Sequence, residues 1–223
     1  MVMFSLAGRF AGDEGAAERY AVGMVALAGM QIAQGGITQS FHRERQSGTL
    51  WVLFSSAGSR TVAYLSRGVL HYGNALLSAI TTLVFAWLLF GVALPEADWV
   101  VVTAGILLIA LSSVAFSLML GSFVIVLRDW FSAPALSQGL IIALTGAFIP
   151  RDVLPPLLSD IGLVLPITWA LPALRDALGQ TDADVASALV GELVVGIAYL
   201  IVSLVLLRIV EWRARTTGAY DEV

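Results

Sequence analysis

Long apolar runs separated by short polar stretches set the layout of this chain. The runs cover about residues 20–41, 69–92, 99–127, 131–149 and 187–210. Crossing a bilayer as a helix takes about 20 apolar residues, and each run is near that length. The runs are continuous rather than alternating, which fits helices and not the strands of a membrane barrel. The third is long enough to tilt or to extend past the bilayer. The pattern predicts an all-α polytopic membrane protein, one domain over residues 1–223, with five transmembrane helices.

Two breaks in the pattern carry more information than the runs. The first is the polar stretch His42-Arg43-Glu44-Arg45-Gln46-Ser47-Gly48-Thr49, followed by Leu50-Trp51-Val52-Leu53-Phe54. The apolar half is too short to cross a membrane, and its charged start suits a helix lying along the interface. A helix over 43–58 is therefore predicted, with Leu50, Trp51, Leu53 and Phe54 covered by lipid or by a docked protein. The plainer reading is a loop that simply carries arginines.

The second break, 150–176, holds five of the seven prolines: Pro150, Pro155, Pro156, Pro166 and Pro172. Its longest uncharged run, Ile161 to Leu174, would make a helix of roughly 21 Å, short of the roughly 30 Å hydrocarbon core. Proline also removes backbone donors, so carbonyls left without partners must be buried in protein or wetted. A re-entrant or interfacial hairpin is predicted here rather than a span.

Arginine placement gives an orientation. Arg43, Arg45, Arg60, Arg67, Arg128, Arg208, Arg213 and Arg215 fall on one side of the five-span map. Arg9, Arg19, Arg151 and Arg175 fall on the other, with acids such as Glu96, Asp98, Asp160, Asp182 and Asp184. The first side is expected to be cytoplasmic. The N-terminus then lies outside, the hairpin outside and the C-terminus inside. The apolar start Met1 to Leu6, followed by Gly8-Arg9-Phe10, reads either as the tail of another apolar helix or as a short interfacial anchor.

Composition narrows the function. The chain is 58% hydrophobic and 13% charged, with mean hydropathy +0.88, about half the charge of a soluble domain. All twelve basic residues are arginine. A lysine-ended phosphate loop is therefore excluded, so this chain does not bind ATP in that way. The lack of lysine beside abundant Ala, Val and Gly suggests a GC-rich prokaryotic genome, and so a prokaryotic cytoplasmic membrane. Cysteine is absent and only His42 and His71 occur, which leaves no thiolate nucleophile and no histidine-rich metal site. Neither G-x-S-x-G nor H-E-x-x-H is present, which argues against an intramembrane enzyme. No bound cofactor and no nucleic-acid partner are expected.

Ionisable groups at membrane depth would mark an ion-coupled transporter. Glu192 is the one candidate, read as an interfacial carboxylate that snorkels or pairs with Arg175. Gln31, Gln34 and Thr38 fall on one face of the first run beside Gly35 and Gly36. They read either as the lining of a substrate path or as interhelical hydrogen bonds with close backbone approach. Ser112, Ser113, Ser117 and Asn74 read the same two ways. A secondary transporter would need inverted repeats and buried charges, neither of which is visible. A non-transporting membrane scaffold is a further alternative.

The segment Glu44-Arg45-Gln46-Ser47-Gly48-Thr49-Leu50 resembles the E-R-E-x-G-T-L signature of type-2 ATP-binding-cassette (ABC) exporter permeases. Gly146-Ala147-Phe148-Ile149-Pro150, Leu154-Pro155, Leu165-Pro166-Ile167-Thr168 and Leu174-Arg175 follow in the order of that family's outer re-entrant region. The resemblance spans roughly residues 18–212. It implies that 43–58 is a coupling helix docking on a separate ATPase subunit, through Glu44, Arg45, Gly48, Thr49, Leu50 and Trp51. It implies an outer hairpin or gate carrying Pro150, Leu154, Pro155, Pro166, Thr168 and Arg175. Two permeases, identical or homologous, would pair with two ATPases, and ATP and Mg would reside on those partners. The family fold has six spans, so a first span is expected before Met1. Three positions depart from the pattern. Gln46 replaces the second glutamate, Trp51 stands where an acid often follows G-T-L, and a proline common near Ala57 is missing. These departures affect the expected ATPase contacts. The expected cargo is a lipid, drug-like or glycan-linked amphiphile.

Overall fold

The computed structural model describes residues 16–47, 60–90, 97–126 and 133–217, and among these no strand occurs. Seven α-helices order this part of the chain: α1 (Ala16–Gln46), α2 (Arg60–Phe90), α3 (Trp99–Val126), α4 (Ala133–Leu144), α5 (Pro156–Gly162), α6 (Ala170–Ala177) and α7 (Val185–Thr217). A 3-10 turn, Arg151–Val153, lies between α4 and α5. The stretches Arg19–Glu44, Val62–Leu89, Trp99–Phe123 and Val185–Ile209 are each long and apolar enough to cross a membrane. The chain is a multi-pass membrane protein.

Side-chain pairs fix the direction of each helix. Phe41 stacks near Tyr64 at 5.6 Å, and a Cβ on Gly29 would meet Ala75 and Ala79, so α1 and α2 run antiparallel. Tyr64 Oη donates to Leu118 O at 2.6 Å, and Tyr72 Oη donates to Leu107 O at 3.3 Å, which sets α2 antiparallel to α3. Phe116 meets Tyr199 edge-on at 5.0 Å, and Gly196 lies against the Ser112 backbone. Helices α3 and α7 are therefore parallel. One end of the bundle gathers Phe41, Tyr64, Leu118 and Leu207 in a single core cluster. The other gathers Val22, Val102, Ala147, Leu171 and Leu178. The first is called the arginine end below, because Arg43 and Arg67 lie there, and the second the hairpin end.

Burial separates the helices into layers. The apolar windows of α1 and α3 are 67% and 61% buried, against 22% and 17% for α2 and α7. Helices α1 and α3 are the centre and α2 and α7 flank them. On α7, Val190, Val194, Ile197, Ile201 and Val205 are exposed at helical spacing. They form an apolar stripe that suits lipid or a second membrane chain.

The span expected at 131–149 is shorter than the pattern suggested. Helix α4 has 12 residues, about 18 Å, against a hydrocarbon core of about 30 Å. It stops because Gly146 takes φ +84, a left-handed conformation that ends a helix at little cost only for glycine. Its direction is nonetheless set. Gln34 Nε2 donates to Pro134 O and Ser137 Oγ at 2.8 and 2.7 Å, and Gly23 lies against Ala147. Helix α4 thus climbs α1 toward the hairpin end. Its passage returns the chain to the end from which α7 starts parallel to α3.

Close approach of α1 to the 145–149 bend needs a missing side chain, since a Cβ on Gly23 would fall inside the Ala147 carbonyl. Gly23→Val should lower the thermal unfolding midpoint in detergent, at a cost of about 1–3 kcal/mol. Gly73→Ala, with nothing within 4 Å of its added carbon, should be neutral or gain up to about 1 kcal/mol from helix propensity. Equal midpoints for the two variants would contradict this packing.

Candidate functional site

At the arginine end, α1 does not stop at the polar break. It continues through Arg43, Glu44 and Arg45 to Gln46. Ser47 then closes the helix, its Oγ donating to Arg43 O at 2.8 Å. The expected separate helix over 43–58 is corrected at its start, because its charged half is the last turn of α1. Polar residues there are compatible with a helix that leaves the membrane, and Arg43 Nη2 supports the turn by donating to Gln39 Oε1 at 2.9 Å. Gly48, Thr49, Leu50 and Trp51 lie outside the described residues.

Glu44 points back to the bundle. Its Oε1 accepts from Arg67 Nη2 at 2.5 Å, with side chains 28% and 18% exposed. The Arg67 guanidinium also sits 4.9 Å over the Phe41 ring. Phe41 is fully buried and packs on Tyr64. The arginine is therefore held by a carboxylate on one side and an aromatic face on the other, both supplied by α1. The pair ties the last turn of α1 to the first turns of α2 and so fixes both feet of the segment between them. Sequence reading placed Glu44 and Arg67 on the same side but did not pair them.

The three polar residues of the first span part company. Gln34 and Thr38 are buried. Gln34 reaches α4, and Thr38 Oγ1 donates to Gln34 O at 2.6 Å. Gln31 is exposed, and Gly35 and Gln39 are exposed one and two turns further along the same helix.

At the hairpin end, prolines start the elements. Pro150 precedes the 3-10 turn and Leu154 follows it. Pro155 caps α5 with Pro156 at its first position, where a missing N–H is no loss. The turn 163–169 is closed by side chains. Thr168 Oγ1 donates to Gly162 O at 2.7 Å, Trp169 Nε1 to Leu163 O at 2.9 Å, and Tyr199 Oη from α7 to Val164 O at 2.7 Å. Pro166 is buried in the turn. Arg175 Nη2 donates to Gly146 O at 2.9 Å and Ala147 O at 3.4 Å, binding α6 to the end of α4. Burial, and next the nearby Arg19 guanidinium, push Arg175 down to about 10, so it stays charged at neutral pH.

Glu192 is the residue that sequence reading placed wrongly. It neither snorkels nor pairs with Arg175, but is fully buried. Its Oε1 accepts from Ile167 N at 2.8 Å and from Ser112 Oγ. Its Oε2 accepts from Trp169 N at 3.2 Å and Ala170 N at 3.1 Å. Four donors thus fill two oxygens, and three of them are backbone amides at the start of α6, where a negative group is favoured. Ile167 takes φ 81, a conformation that a β-branched residue adopts only under constraint. That twist helps to aim the N–H groups of Ile167, Trp169 and Ala170 at one carboxylate, much as an anion-binding nest does. One hint was legible in the sequence, a lone acid in an otherwise apolar span. Three of its four partners were invisible because every residue but proline carries a backbone amide.

Stability should register this arrangement. Glu192→Ala strands three buried amides, each costing about 1–3 kcal/mol. Glu192→Gln keeps one acceptor oxygen for Trp169 and Ala170 but turns an amide group toward Ile167 N–H. Unfolding midpoints in detergent should fall in the order wild type, Gln, Ala. An alanine variant as stable as wild type would contradict the buried network.

A family model described as ABC-2 type transporter matches residues 1–178 of the 223. No curated protein matches the chain. The match covers the arginine end, α1 to α4 and the whole hairpin through Leu178, and stops before α7. With that match over most of its length, the chain belongs to the ABC-2 type transporter family.

Proposed function

We propose that this ABC transporter permease subunit works as an exporter, driven by ATP hydrolysis on a separate ATPase that docks at the arginine end. The observation that carries the reading is the Glu44–Arg67 pair, which braces both feet of the segment holding Gly48, Thr49, Leu50 and Trp51. A docking segment transmits force only if its ends are fixed to the helices it must move. Here one foot is the end of the central helix α1 and the other is the start of α2. Closure of the ATPases, with ATP and Mg bound there, would tilt these helices as rigid bodies and open the path to the other side. The arginine end would face the cytosol of a prokaryotic cell, and the hairpin end the exterior.

Two copies of the chain, or one copy with a homologous permease, would enclose the path between two ATPases. The exposed face of α1 with Gln31, Gly35 and Gln39 would border it, and Gln34 and Thr38 would hold that helix in place from behind. An amphiphilic cargo, whether lipid, drug-like or glycan-linked, suits a path bordered by a mixed polar and small-residue face. The hairpin carrying Pro150, Leu154, Pro155, Pro166, Thr168 and Arg175 would close its outer end. Ion coupling is the weaker reading, because Glu192, a carboxylate at membrane depth, is already saturated by four donors.

Charge reversal tests the brace. With a co-expressed ATPase carrying a lysine-bearing phosphate loop, Arg67→Glu should reduce hydrolysis by the assembled complex. A partly buried pair near the surface is worth about 1 kcal/mol, so roughly a fivefold loss is expected. Glu44→Arg combined with Arg67→Glu should recover most of it. Wild-type hydrolysis by the single reversal would sink the coupling role. The isolated chain should hydrolyse no ATP.

The orientation is tested separately. The chain has no cysteine, so single cysteines at Ser47 and Asp182 should react with impermeant reagents from opposite sides of intact cells. Labelling of both from outside would overturn the topology.

A further inference from the structure

Glu192 has a place in the transport cycle that the reading above does not assign. Its side chain starts on α7, reaches Ser112 on α3, and takes the amides of Ile167, Trp169 and Ala170 from the hairpin. Three elements that are distant in sequence therefore meet at one carboxylate. The surrounding contacts lock the same three together. A Cβ on Gly191 would meet the Trp169 ring at 2.6 Å, and Gly196 lies on the Ser112 backbone. Tyr199 Oη holds Val164 O while its ring packs on Phe116 of α3. Asp98 N donates to Ala177 O at 2.9 Å, tying the end of α6 to the start of α3.

We infer that Glu192 is a positioning residue that makes the hairpin travel as one body with α7 and α3, so that the outer end does not open by the hairpin swinging on its own. A hinged flap would need backbone groups that can part from their partners and find others. The amides of Ile167, Trp169 and Ala170 face a carboxylate in a buried site, where no water can replace it. Ser112 adds a further feature. Its hydroxyl also lies 3.1 Å from Ile109 O, so it can turn to that carbonyl and accept from Glu192. The contact can thus be kept if the carboxyl takes up a proton.

The inference rests on the permease reading, and the test separates the two. Spin labels are attached through cysteines at Leu157 on the hairpin and Val194 on α7, both exposed. Labelled chain is diluted with unlabelled chain in lipid nanodiscs, and the distance between the labels is measured by pulsed electron paramagnetic resonance. On the permease alone, wild type should give one narrow distribution, Glu192→Ala a broad one and Glu192→Gln an intermediate one. In the complex with the ATPase, the wild-type distance should be the same without nucleotide and with ATP trapped by vanadate. A shift above about 5 Å, one helical turn, between those states would overturn the inference. So would a narrow distribution in both Glu192 variants. If alanine prevents insertion, the glutamine variant carries the first comparison, and the nucleotide comparison needs no Glu192 variant. Failure of the ATPase to bind or turn over would count against the permease reading and leave the first comparison standing.

Discussion

Inside a bilayer, backbone that leaves helical geometry must find partners for its amides within the protein, and the rest of this structure is arranged around meeting that demand at the 163–170 turn. The turn holds buried, non-helical residues between two helices of 7 and 8 residues. Helices that short have little stability of their own. What holds them is the carboxylate of Glu192 against the amides, and hydroxyl and indole groups against the carbonyls. Glycines on α7 and near the end of α4 then allow the hairpin to sit close enough for those bonds to form. A charge at this depth would be costly if isolated, but four donors replace the water it has lost.

The two ends of the bundle are fixed by different physics. At the hairpin end, side chains satisfy backbone groups in a buried setting, and the strength of each bond comes from the lack of alternatives. At the arginine end, a partly exposed ion pair and a cation–aromatic contact link two helices where water can compete. Such links are weaker and easier to remake. The hairpin end is therefore the more rigid of the two, and the arginine end the more yielding.

Much of the architecture could be read from the sequence because it follows from apolar run length. Helices α1, α2, α3 and α7 correspond to four runs, and the proline cluster marked the hairpin. The shortening of α4 depended on Gly146 taking φ +84, which no run length records. The continuation of α1 to Gln46 was hidden because polarity was read as a break, whereas a helix can leave the membrane without ending. Gln34 and Thr38 had two readings, and the packing of α4 on Gln34 favours the interhelical one. Glu192 was misread for a related reason. Its position near the end of a span suggested water, while its real surroundings are supplied by a segment 22 to 25 residues earlier in the chain.

The parallel pairing of α3 and α7 has a consequence for how the protein is made. Ser112 and Glu192 are 80 residues apart. At about 5–20 residues per second, roughly 4–16 s separate their emergence from the ribosome. During that interval Ser112 is not left bare, because Ile109 O can accept its hydroxyl. The hairpin amides have no such provisional partner. They become secure only when α7 brings its acid into place, so the hairpin is completed by the segment that follows it, and the hairpin end matures only after α7 has been made.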